Sequence, residues 1–222
     1  MSTTPLSPTP RSTIGRNAVR ARTERSDLYD VLDAGLVCHL GFVVDGAPVV
    51  LPTAYGRDGG TLYLHGSSGA RYLSGAEFPA CVTVTHLDGV VHARAVMHFS
   101  MNYRSAVVHG TARRVTDADE RWEALRVVVE HLTPGAWEHA RQPNRRELAA
   151  TAVFALDLTE ASVKIRTGPP SDDTEDVDAD AAWAGVVPVR TVFGEPEPSP
   201  DLPTSWSVPA HLRADHDREP IT

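Results

Sequence analysis

"LVCHLGFVVDGAPVVLPTAYGRDGGTLYLH", residues 36–65, decides the fold. Two apolar runs flank Asp45-Gly46, a dipeptide suited to the positive φ of a tight hairpin turn. A second turn, "GRDGG", leads into "TLYLH". The stretch therefore reads as a meander of three antiparallel strands with no helix between them. The pattern continues outward. "ACVTVTHLDGVV" (80–91) alternates Val82 and Val84 against Thr83 and Thr85. "HFSMNYRSAVVHGTARRV" (98–115) is long, β-rich and interrupted by Gly110, and "ATAVFALDLTEASVKIRTG" (150–168) reads as a strand pair or one long bent strand.

Helical spacing is confined to a few places. "ERSDLYDVLDA" (24–34) sets Leu28, Val31 and Leu32 on one face. "DADERWEALRVVVEHL" (117–132) offers Asp117 or Asp119 as a cap and repeats Trp122, Leu125, Val129 and Leu132. "SGARYLSGAE" (68–77) reads as a short helix after a strand. Strands joined by hairpins, without alternating βαβ units, predict a mainly β protein. The expected architecture is an antiparallel six-stranded barrel with a few flanking helices, since closure removes exposed strand edges.

The 222 residues suit one domain with tails. Residues 1–15, whose first ten are rich in Ser, Thr and Pro, are expected to be disordered. Residues 16–195 form the domain, and 196–222 are a proline-rich polar tail. No apolar run reaches the ~20 residues that span a bilayer, and the N-terminus has no apolar signal core, so a cytoplasmic location is expected. Net charge of −8 opposes general nucleic-acid binding. Charge is uneven, with arginines over 11–25 and an acidic run over 172–180. Cys38 and Cys81 sit in apolar strands and read as reduced and buried.

Chemistry gathers at "LYLHGSSGARYLSG" (62–75). Gly66 and Gly69 allow close backbone approach, Ser67 and Ser68 offer donors, and Arg71 adds a charge-assisted bond, a combination suited to phosphate. An ordinary strand–turn–helix link with a serine cap explains the same residues. His65, facing opposite to Leu64, can hydrogen-bond a ligand ring or bind a metal, or serve structure alone. His92, His98 and His109 are not fixed on one face, and no C-x-x-C or H-x-x-x-H pair supports a metal site. Neither a nucleophile elbow nor a dinucleotide-binding glycine motif occurs, so any chemistry has to come from a bound cofactor.

The run "VCHLGFVVDGAPVVLPTAYGRDGGTLYLHGSSGARYL", followed by "HFSMNYRSAVVHGTARRV", resembles the pyridoxamine 5′-phosphate oxidase-like flavoproteins. It looks closest to their Nim-type branch, named for 5-nitroimidazole resistance proteins, and "VKIRTGPPSDDTEDVDADAAWAGVVPVR" adds to the likeness over residues 16–195. The resemblance implies an FMN-binding split barrel, usually a homodimer with flavin at the subunit interface. It places Val50, Leu51, Pro52 and Thr53 along the isoalloxazine edge, largely through backbone groups. His65, Ser67, Ser68 and Arg71 fall at the ribityl-phosphate end, and Tyr103, Arg104 and Ser105 face the flavin or the dimer seam. Trp183 covers the flavin, with the partner subunit as its possible source. Arg71 stands where the family commonly has lysine, and Ala106 where it has a bulkier residue. "HDR" at 216–218 lacks the strand that carries the oxidase's substrate-gripping arginine and histidine, so vitamin B6 oxidation is not expected.

The resemblance implies an FMN-dependent oxidoreductase that reduces a small organic acceptor, such as a nitro compound or quinone, with a reduced nicotinamide. Two alternatives stand beside it. One is a non-catalytic haem- or flavin-binding barrel with His65 as haem ligand; the other is a deazaflavin-dependent reductase.

Overall fold

The computed structural model describes residues 6, 9–70 and 75–214. Strand β1 is Ala21–Arg22, and helix α1 is Arg25–Ala34. The meander follows as β2 (Val37–Val44), β3 (Ala47–Asp58) and β4 (Thr61–Ser67). The long strands β5 (Glu77–His92) and β6 (Ser100–Arg114) come next, then helices α2 (Ala118–Leu132), α3 (Ala136–His139) and α4 (Arg145–Ala150). Strands β7 (Thr151–Asp157) and β8 (Ala161–Arg166), helix α5 (Thr174–Ala179), strand β9 (Gly185–Pro188) and helix α6 (Ala210–Ala214) complete the described chain.

All strand pairings are antiparallel, and the described residues form nine strands where six were expected. The sheet order is β1-β8-β6-β7-β4-β3-β2-β5-β9, and an additional β5–β6 pairing closes β6, β7, β4, β3, β2 and β5 into a ring. The three further strands are appended to that ring, β8 and β1 beside β6 and β9 beside β5. β6 divides its free edge: residues 103–108 pair with β8, but only Arg113 and Arg114 pair with β7.

The meander forms as its turn chemistry demands. Asp45 and Gly46 take φ of 50° and 79°, the left-handed values that let a two-residue turn follow the sheet's twist. Alternation then sends Cys38, Leu40, Phe42, Tyr55, Leu62 and Leu64 into one core with Val82, Val84, Val108 and Phe154. The β5 register shifts between Leu87 and Gly89, so the inward set changes from even positions (Val82, Val84) to odd ones (Val91). The bulge residue Asp88 receives two bonds from the Arg104 guanidinium, at 2.9 and 3.0 Å.

Helix α1 inserts Leu28, Val31 and Leu32, all essentially inaccessible, into this core. Its last carbonyls have no partners within the helix. The Gly35 cap amide reaches Leu32 O, and side chains from three other elements supply further donors: Tyr55 Oη to Leu32 O, His86 Nε2 to Val31 O at 2.9 Å, and His131 Nε2 to Gly35 O at 2.6 Å. Burial raises the Tyr55 phenol well above its ordinary pKa, so it stays a donor. Leu32 O also accepts from Gly35 N at 3.2 Å, so Tyr55→Phe removes one of its two donors and should cost roughly 0.5–1.5 kcal/mol. A urea titration should show a lower midpoint with an unchanged slope; an unchanged midpoint would remove the bond from the stability account.

Several sequence expectations change. Asp117 caps α2, accepting from Glu120 N at 2.9 Å, but the buried face is Ala124, Val127 and Val128 rather than Trp122, Leu125, Val129 and Leu132. The helix lies directly on β3, where a Cβ at Gly56 would come within 2.7 Å of the Val127 carbonyl oxygen. Such close contact favours small side chains, and Trp122, Leu125 and Val129 lie on the side toward α3. Gly110 does not interrupt β6, and Cys81 is half-buried while Cys38 is fully buried; both thiols are free. In the segment expected to be disordered, Leu6 is buried and its amide donates to Thr23 O at 2.8 Å, while Arg11 Nε donates to Glu160 at 2.7 Å. Short-range composition does not register such long-range partners. Of the helix expected over 68–77, residues 71–74 lie outside the described residues; what flanks them is a turn and the start of β5.

Candidate functional site

Strands β3 and β4 pair only from Tyr55↔Leu64 to Asp58↔Thr61. Beyond Tyr55 they part. The β3 segment from Ala47 to Ala54 stays paired with β2, and β4 from His65 to Ser67 stays paired with β7. Among the described residues no strand pairs with the other edge of β3 over Val50–Thr53, which leaves a row of backbone groups facing the fork. The fork brings together two groups of expected site residues that lie 12 or more positions apart in the chain: Val50, Leu51, Pro52 and Thr53 on one arm, His65 and Ser67 on the other.

Ser68 and its neighbours close the second arm. Ser68 N and Oγ donate to Ala150 O (2.8 Å) and Ala149 O (3.1 Å), tying the turn to the α4–β7 junction. Gly69 N donates to Ser67 Oγ at 3.3 Å and Ala70 N to Ser67 O at 3.0 Å. The amides of residues 68–70 thus have partners within the protein, and Ser67 remains as the exposed hydroxyl. Arg71, the expected phosphate anchor, lies outside the described residues.

The His65 side chain points away from the barrel core, into a cavity of about 310 Å³ under the helices. Its apolar lining includes Leu125 and Val129 from α2, Trp137 from α3, and Leu148 from α4. Trp122 meets Trp137 edge-on at 5.3 Å. His65 Nδ1 is buried and has no hydrogen-bond partner among the described residues. Desolvation lowers its pKa, which favours the neutral imidazole at neutral pH. Arg141, Gln142, Glu147 and Thr151 add polar groups to the lining. A neutral imidazole with an unpartnered ring nitrogen beside a mainly apolar cavity is a donor suited to haem iron. The cavity size is in the range of small-molecule sites.

The remaining expected residues occupy a different surface. Register places Val50 opposite Gly41, Pro52 opposite His39, His39 opposite Thr83, Leu87 opposite Tyr103, and Ser105 opposite Lys164. These residues share one outward sheet face, whose apolar members include Val43 and Val50, 68% and 63% exposed. Leu51 packs on the core, and Thr53 pairs with buried Cys38, both on the opposite side of β3. Arg104 is held by Asp88. Ser105 Oγ reaches Lys164 O at 3.5 Å. Trp183 is largely exposed, its ring 5.8 Å from His92, which in turn meets Phe99 at 5.1 Å.

Sequence reasoning missed His39, Thr83 and Lys164 on this face, though the alternation of Val37, His39 and Val43 against Cys38, Leu40 and Phe42 carried the signal. It also missed Trp137, which lies in an aperiodic stretch and becomes a lining residue only through the turn of the chain at Gly135.

The described helices include none long and apolar enough to cross a membrane. No curated protein matches the chain. Among solved structures, the flavocytochrome Anf3 from Azotobacter vinelandii is 39% identical, covering 95% of this chain and 98% of its own, with a TM-score of 0.89. The FAD and heme binding protein from Mycobacterium smegmatis is 36% identical over 91% of this chain and 98% of its own, with a TM-score of 0.85. A protein from Bacteroides thetaiotaomicron named for 5-nitroimidazole antibiotic resistance shares the fold at 19% identity, over 65% of this chain and 86% of its own, with a TM-score of 0.55. The family model described as pyridoxamine 5′-phosphate oxidase matches residues 24–165, spanning the meander, the fork and most of β8. On that match the chain belongs to the pyridoxamine 5′-phosphate oxidase family.

Proposed function

We propose that this chain is a redox protein that binds a flavin at the β3–β4 fork and a haem against His65. The observation that carries the reading is the His65 imidazole, which lines a mainly apolar cavity and whose buried Nδ1 has no partner among the described residues. Two structures at 36% and 39% identity, matched over most of both chains, bear names that refer to flavin and haem together. The flavin is proposed to be FAD, as named for the mycobacterial relative, in place of the FMN expected from sequence.

The bound groups would supply the electron chemistry, which no side chain here can supply alone. The chain's own residues bind, orient and exclude water. The backbone edge at Val50–Thr53 offers hydrogen bonds to a flavin ring, and Ser67 offers a hydroxyl toward its polar end. Arg71 is retained as the proposed phosphate partner. Leu125, Val129 and Trp137 would pack against a group bound at His65, and burial of the ring favours its neutral form. Strand β4 carries both sites, with His65 two residues from Ser67. Reduction of a small acceptor by way of a nicotinamide is the activity proposed for the pair.

The absorption spectrum of the purified chain tests this, with the released chromophores identified by mass. A Soret band together with the two bands of a flavin is expected, and the released flavin should have the mass of FAD. A spectrum with flavin alone would remove haem from the reading, and a released flavin with the mass of FMN would return the chain to the FMN reductase reading. A chain that takes up neither group would end both.

A further inference from the structure

We propose that the C-terminal segment 196–213 is a detachable strap that holds α3 as the outer wall of the His65 cavity, so that docking of the strap governs ligand exchange at His65. Helix α3 is only four residues long and separates two cavities. On one side Ala136 and Trp137 line the His65 cavity. On the other, His139 lines a second cavity of about 440 Å³, walled by Pro196, Leu202, Trp206, Val208 and Leu212 of the C-terminal segment.

A helix of one turn does not hold itself in place. From the body of the protein, α3 is anchored through the Glu130 carboxylate, which accepts from Gly135 N (2.7 Å) and Trp137 N (2.8 Å). From the tail side it is met by His211, whose ring lies 4.9 Å from that of His139. A Cβ at Gly135 would come within 3.0 Å of the His211 Cβ, so the segment sits directly on the turn that launches α3.

The way the strap is fastened argues that it can leave. Among the described residues, every hydrogen bond made by 196–213 closes within the segment: Leu202 N to Ser199 O, Trp206 N to Pro203 O, Leu212 N to Pro209 O, Arg213 to Val208 O, and Ser199 to Asp201. Among the described residues its attachment to the body is by ring and apolar contact. Even there burial is incomplete, because Trp206 is 63% exposed. Segments with few buried apolar contacts and no hydrogen bonds to the core open at low free-energy cost. The body also holds Trp137 through the Trp122 ring and through Gln142 Nε2, which donates to Trp137 O at 2.5 Å, so undocking would release the outer side of α3, at Gly135 and His139, and loosen the wall that carries Trp137.

The inference rests on the haem reading for one of its two readouts only. The test uses the full-length chain carrying Leu212→Asp with Trp206→Ala, substitutions in the strap that touch neither His65 nor its cavity. Hydrogen exchange of the chain without added ligand should show residues 135–142 exchanging at least about ten-fold faster than in the parent, with β4 and β7 unchanged. Hemin transfer to apomyoglobin should speed up by a similar factor, while flavin retention stays the same. Unchanged exchange over 135–142 would overturn the strap whether or not haem binds. Faster exchange in a chain whose parent takes up no hemin would keep the strap and sink the haem reading instead. His139→Ala in the full chain, expected to reproduce the faster exchange, guards against misfolding of the double variant.

Discussion

Replacing His65 by alanine should abolish hemin binding and leave the flavin in place. Losing a metal's second-shell partner typically weakens metal binding ten- to a hundred-fold, so loss of the ligand itself should weaken hemin binding by roughly a hundred-fold or more. The Soret band of the loaded protein should vanish, with the flavin bands unchanged. Retention of a normal Soret band in His65→Ala would move the iron ligand elsewhere. Acidity offers a second reading of the same group. Because burial lowers the folded-state pKa of His65, an unfolded chain takes up its proton first as pH falls below about 6.5. The fold therefore loses stability from that pH down through the lowered pKa, and the loss is complete below it. Hemin affinity should be flat above about 6.5 and fall in the acid range as a proton competes for the ring nitrogen. The stability loss over this window should be smaller in His65→Ala.

The second large effect concerns assembly. Antiparallel sheets with one solvated face usually present polar residues there, yet the open face of β2, β3 and β5 presents Val37, Val43, Val50 and Leu87. Val90 and Met101 continue it past the bulge. We propose that a second copy of the chain covers this face, since a two-fold dimer is the commonest way to bury a self-complementary patch. Light scattering should report twice the chain mass. Leu87→Glu with Val90→Glu would bury four unpaired carboxylates across a two-fold seam, each costing several kcal/mol. The dissociation constant should rise at least about a hundred-fold, and the variant should run as a folded monomer. An unchanged mass for the variant would place the seam elsewhere.

What the sequence disclosed and withheld follows from range. Asp45-Gly46 and the alternation around it are local, and they specified the meander and its core face without reference to the rest of the chain. The split between β3 and β4 is not local: it depends on where β4 leaves β3 for β7, which no residue near Tyr55 announces. Likewise the helical period in 117–132 is plain, but two faces of α2 are apolar, and only contact with the backbone at Gly56 decides which is buried. His65 stood out by type and position, whereas its cavity is assembled from residues up to 86 positions later. Ser68 looked like a ligand donor and makes its bonds to Ala149 and Ala150, because short polar side chains at a turn serve either purpose equally well.

The bulge at Asp88 also bears on how this chain can change in evolution. A strand tolerates loss of one residue only if its facing is preserved, and here one residue separates two opposite phases. Deleting Asp88 would join Leu87 to Gly89 in an unbroken alternation that keeps Val90 outward and Val91 inward, and would leave Arg104 without its carboxylate. β9, paired to this same terminal stretch, Val90 to Val187 and Val91 to Val186, would keep its facing. A gap of one residue at this point is therefore open to descent in register, and its cost falls on the arginine across the strand pair. Related chains that lack the residue at Asp88 should also lack the arginine at Arg104.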